Sequence, residues 1–122
     1  MFIETLKLLA SNSDIQIEIL TNDVVVTDEI ALLYEDIYIL FTGNFYKSYD
    51  NITKLKAKEI DLLFCDMTQD MLLWDNAALH KSIKWQNVRD AARELLVYLH
   101  EQITLPNLFW VTYIIPKGKE DI

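Results

Sequence analysis

The chain has 122 residues, a formal net charge of -8 and a single cysteine, Cys65. That length is one domain, the lone thiol excludes an internal disulfide and a CxxC redox or zinc site, and the acid excess opposes binding to phosphate backbones, which relies on Lys and Arg. Two glycines and two prolines against 52% hydrophobic residues exclude disorder over most of the length and disfavour a many-turned all-β sandwich.

Residues 2–10 read as a short helix with Phe2, Ile3, Leu6 and Leu9 on one side, broken by the polar run 11–14. Ile15, Ile17 and Ile19 alternate with Gln16 and Glu18, the pattern of a half-buried strand. Thr21, Asn22 and Asp23 make a turn, and the β-branched Val24, Val25 and Val26 complete an expected hairpin. Thr27 followed by Asp28 and Glu29 marks a helix start. From there Ile30, Leu33, Tyr34, Ile37, Leu40 and Phe41 share one face, and Gly43 stands where a helix is closed. Leu32 and Ile39 are misfits on the polar side, so this segment is either a broadly buried helix, the preferred reading, or two strands.

Residues 51–75 predict a long helix capped by Asp50 or Asn51, with Ile60, Leu63, Phe64, Met67, Met71 and Trp74 on its apolar face and a break near Thr68. Residues 76–82 connect it to a last helix from about Ser82 to Ile103, whose stripe is Trp85, Val88, Ala92, Leu95, Leu96, Leu99 and Ile103. Pro106 ends that helix, and 108–115 reads as a buried strand from its aromatic and β-branched residues. The expectation is therefore an α+β domain over 1–115: a small antiparallel sheet, made of the hairpin and the C-terminal strand, packed with three to four helices. Residues 116–122 form a polar tail.

Charge comes in blocks. Residues 1–46 hold eight acids and one base, 47–58 are net basic, 59–75 carry five acids and no base, and 81–93 are net basic again. An acidic first third steers basic partner proteins toward it. Asp23, Asp28, Glu29, Glu35 and Asp36 are the candidate protein-binding residues. The leading reading is a non-catalytic interaction module, an adaptor, a chaperone-like subunit or an acidic inhibitor of a larger protein with a basic surface. No direct contact with nucleic acid and no cofactor are expected of it.

The alternative is a metal-dependent hydrolase built on 59–75, because Glu59, Asp66 and Asp70 come round to nearly one side of a helix and carboxylates so placed hold Mg²⁺ or Mn²⁺. The string Glu59-Ile60-Asp61-Leu62-Leu63-Phe64 resembles a metal-binding helix of the all-α nucleoside triphosphate pyrophosphohydrolases. That family also requires a Glu-x-x-Glu pair on a neighbouring helix, and this sequence has lysines in the preceding turn instead.

Cys65 and His80 suggest a nucleophile pair on residue type alone, with nothing local to activate the thiol. His100 reads as a boundary residue of the last helix. Leu62, Leu72 and Leu73 point away from the main stripe of their helix, which makes self-association, a homodimer, the third reading. The apolar runs are far shorter than the roughly twenty residues of a membrane span, and Glu4 and Lys7 interrupt the N-terminus, so neither a span nor a secretory leader is expected. With one cysteine the expected compartment is the cytoplasm.

Overall fold

A computed structural model describes residues 1–20 and 24–108, with the side chains of 44–46 left aside. Six α-helices follow one another among the described residues: α1 (Phe2–Ala10), α2 (Ser13–Ile19), α3 (Val26–Leu40), α4 (Asn51–Met67), α5 (Asn76–Lys81) and α6 (Ile83–Tyr98). No strand or sheet occurs among them, so the expected α+β arrangement is replaced by a helical one. Helix α6 is the centre: it packs on α1, α4 and α5, while α3 lies against α1 and α4.

The hairpin is the main correction. Residues 15–19 belong to α2, whose start is fixed by Asn12, the side chain of which accepts from the Ile15 N–H at 3.1 Å. The residue expected to face water, Gln16, is buried, and its Nε2 donates to the carbonyls of Leu8 (3.0 Å) and Leu9 (3.2 Å) at the end of α1. Ile17 and Ile19 are only partly buried. Five residues of alternation fit one helical turn as well as a strand, and the bonds to α1 decide for the helix. Val26 opens α3 rather than a strand; 21–23, with the expected turn and Asp23, lie outside the described residues. So do 109–115 of the expected C-terminal strand and the tail at 116–122; Leu108 itself is not in a strand.

Segment 26–40 is one helix, with Ile30, Leu33, Tyr34 and Ile37 buried. Val25, not Thr27, holds its cap position and makes no side-chain cap bond. Gly43 does not close it. The chain widens into a π-helical turn at Phe41–Phe45 and then a 3₁₀ turn at Tyr46–Ser48. Phe41 stacks on Phe2 of α1, ring centroids 4.4 Å apart, and lies 4.9 Å from Tyr49, so the turn is pinned to the start of α1 by aromatic contact.

Asp50 caps α4, accepting from Thr53 N–H at 2.7 Å, and α4 stops at Met67, beside the expected break. That break resets the helical phase. In the following 3₁₀ turn (Met71–Leu73), Met71 is exposed, although placed on the apolar face by periodicity, and Leu73, expected outside, is buried. The connection at 76–82 contains α5, capped by Asp75 on Ala78 N–H at 2.7 Å, and Ser82 caps α6. Each such cap contributes about 1 kcal/mol. Helix α6 ends at Tyr98, short of Ile103. His100 adopts φ 60, its N–H donates to Val97, and the Glu101 N–H reaches back to Leu96 at 2.9 Å, a left-handed closure that Pro106 has no part in.

Two arginines of α6 tie the carbonyl ends of other helices to the centre. Arg93 Nε donates to Ala10 O at 2.8 Å, and the buried Arg89 donates through Nη2 to Leu79 O of α5 at 3.1 Å and through Nη1 to Gln16 Oε1 at 3.5 Å. No carboxylate pairs with Arg89 among the described residues; helix C-termini, with their partial negative charge, take that place. Burial first, and Arg93 second, lower its pKa, while Asp90 acts the other way.

Candidate functional site

Helices α3 and α4 are joined at mid-length by the Tyr34 hydroxyl, which donates to Ala57 O at 2.7 Å. Burial raises the Tyr34 pKa far above the usual phenol value, helped by Tyr38 and Asp61, so the hydroxyl stays a donor. Outside that bond the two helices leave an open cleft of about 390 Å³. Tyr34, Phe64 and Trp74 contribute to its apolar floor, Ala31 and Cys65 to its walls, and Glu35 and Asp61 to its rim. The cleft continues toward the start of α3, where Asp28 and Leu32 join Glu35 and Trp74. In the other direction Tyr38, Leu55, Lys54 and Lys58 surround a further hollow.

The floor is held by aromatic packing. The Trp74 indole N–H donates to Met67 O at 3.2 Å, and its ring meets Trp85 edge-on, centroids 5.6 Å apart. Trp85 is fully buried and donates to Leu73 O at 2.7 Å. Apolar side chains stay exposed on both helices: Leu32 (50%) and Ile39 (60%) of α3, which line the cleft and its continuation, and on α4 Leu55 (70%), which lines the further hollow, and Leu62 (55%). The two sequence misfits of α3 are thus surface residues. In each pair the members are seven apart, two helical turns, and that spacing is the signal in the sequence by which the cleft could have been found.

Asp28, Glu29, Glu35 and Asp36 all lie on α3. Asp28, Glu35 and Asp36 are exposed and Glu29 half-buried, and none of the four makes an ion pair among the described residues. Burial, with the Asp28 charge beside it, pushes the Glu29 pKa up. Asp28 and Glu35 border the cleft; Glu29 and Asp36 do not line it. Asp23 lies outside the described residues.

The carboxylates of 59–75 are not gathered. Asp66 is engaged by Lys84 of α6, Asp70 caps the 3₁₀ turn through the Leu72 N–H at 2.9 Å, and Glu59 is exposed. Among the described residues no group of three or more His, Cys, Asp or Glu is placed to hold a metal ion.

Cys65 and His80 are also apart in role. His80 Nδ1 lies 2.5 Å from Ser13 Oγ and 3.8 Å from Asp14 Oδ1, and no bond to Cys65 accompanies these. A Ser-His-Asp relay needs the serine on one ring nitrogen and the acid on the other. Here both meet Nδ1, so the trio fastens α2 to α5 and has no relay geometry. His100 closes α6 on the surface. Of the self-association residues, Leu62 and Leu72 are exposed and Leu73 is buried. No helix of the described residues is long and apolar enough to cross a membrane.

Comparison with protein-family models, with curated proteins and with solved structures finds no match.

Proposed function

We propose that the chain is a non-catalytic protein-interaction module that docks on a partner through the outer face of α3 and its cleft with α4. One observation carries the reading: carboxylates without ion pairs among the described residues, Asp28 and Glu35, border an apolar cleft next to exposed Leu32 and Ile39. Exposed apolar surface rimmed by polar groups is how a docking site looks before its partner arrives. Free negative charge at that rim selects a basic surface and raises the encounter rate. An adaptor or an acidic inhibitor fits this description. A cytoplasmic setting goes with it, since the exposed Cys65 has no second cysteine with which to form an internal disulfide.

Affinity capture from a lysate of the producing cells tests the reading, with wild type set against Asp28→Asn/Glu29→Gln/Glu35→Gln/Asp36→Asn. A stoichiometric partner is expected with wild type, weakened by the fourfold variant and by salt. Equal recovery of the same partner by both proteins, insensitive to salt, would refute it.

A further inference from the structure

The acids of α3 say what charge the partner carries; the shape of the cleft says what element it brings, an inference that rests on the docking reading above. The stretch from Asp28 to Ile39 rises about 17 Å at 1.5 Å per residue, or three helical turns. Leu32 and Ile39, two turns apart, edge the cleft on α3, and Leu55 and Leu62 with the same spacing stay exposed on α4. The floor is aromatic, from Tyr34, Phe64 and Trp74. Both walls are helices whose backbone groups already bond internally, so an extended segment would find no ladder to join. A third helix brings its own hydrogen bonds and needs only an apolar stripe.

The charge is unequal along the cleft. Asp28 and Glu35 border it toward the start of α3, Lys54 and Lys58 border the further hollow in the other direction, and Lys58 is already held 3.5 Å from Asp61. We infer that the cleft between α3 and α4 receives one amphipathic helix of a partner protein, about three turns long, with apolar side chains along one face and its basic end over Asp28 and Glu35. A second copy of this chain is a poorer occupant. Each copy brings a net charge of -8, and pairing would add like charge to acids that need the opposite sign.

The single cysteine reports occupancy, because Cys65 is exposed and lines the cleft. The probe is a capped synthetic helix of about 14 residues, leucines along one face, lysines over one half and glutamates over the other. A scrambled peptide of the same composition is its control. Iodoacetamide alkylation of Cys65 is followed by mass spectrometry, and binding by fluorescence polarisation of the labelled peptide. The amphipathic peptide is expected to slow alkylation about tenfold near saturation and the scrambled one to leave it unchanged. Asp28→Asn/Glu35→Gln should weaken binding roughly tenfold at low salt, and so should Leu32→Ser/Ile39→Ser, which alter only exposed positions.

Equal protection by the scrambled peptide, or none by the amphipathic one at millimolar concentration, overturns the helix assignment. Binding that depends on the α3 acids without protecting Cys65 also overturns it, while leaving the α3 docking reading intact. Protection that grows with protein concentration in the absence of peptide overturns it in favour of self-association.

Discussion

Replacing Arg89 by methionine removes a buried cation that links α2, α5 and α6. The methionine retains much of the volume and none of the five donors. Leu79 O loses its 3.1 Å partner and Gln16 Oε1 its weaker one at 3.5 Å. A buried acceptor left without a donor costs roughly 1–3 kcal/mol, so the two losses come to about 4 kcal/mol at mid-range. Relief from keeping a guanidinium out of water, with no carboxylate paired to it among the described residues, offsets part of this. The expected net loss is about 3 kcal/mol, a fall in Tm on the order of 10 °C for a domain of this size. Urea unfolding read by tryptophan fluorescence measures it, since Trp85 is fully buried. Arg89→Lys, which supplies fewer directed donors, should fall between. An Arg89→Met protein as stable as wild type, with an unchanged denaturant slope, would refute the claim that this side chain holds the helix ends.

His100→Gly should stabilise the protein by about 0.5–1 kcal/mol, because φ 60 is a left-handed conformation that glycine adopts without cost; a loss in thermal unfolding would contradict the assigned helix end. The Asp50 carboxyl is held below the usual carboxylate range, chiefly by the Thr53 backbone N–H and then by the Tyr98 hydroxyl. Its contribution to stability is therefore complete above the pKa of an unfolded aspartate and is lost as pH falls through the lower folded value. Tyr98→Phe should raise the Asp50 pKa in an NMR titration and shrink that acid-side loss; an unmoved titration would mean that the 2.7 Å contact is not kept in solution. Leu32→Ser and Ile39→Ser should change folding stability by no more than about 0.5 kcal/mol, since both side chains are exposed; a large loss in chemical denaturation would place them in the core and remove the ridges of the cleft.

Local chemistry made several features legible. Asp50 and Ser82 stand directly before helices and bond to their first N–H groups, and the stripe from Trp85 to Leu96 is the buried face of α6, whereas Asp75, read as the end of a long helix, caps α5 within the expected connection. What stayed hidden depends on partners far along the chain. Gln16 reads as a solvent-facing residue until the end of α1 and Arg89 surround it. Leu73 and Met71 exchange places because α4 stops at Met67, a change of phase that a single continuous periodicity cannot express. The acids of α3 were readable as a negative block, but their proximity to an apolar cleft needed the pairing of α3 with α4 through Tyr34 and Ala57. Leu32 and Ile39 already broke the amphipathic pattern, but neither the broad burial nor the two strands that this suggested is found: both residues are exposed on one helix.

Photo-crosslinking inside the producing cells bears most directly on docking at α3. A benzoylphenylalanine is placed at Leu32 in one protein and, as a control, at Val97, which is more open still but lies on α6. Irradiation should join a single basic protein to position 32, with the crosslinked peptide helical in its own structure, and leave position 97 free. The same partners at both positions, or capture at 97 alone, would contradict docking through the α3 face.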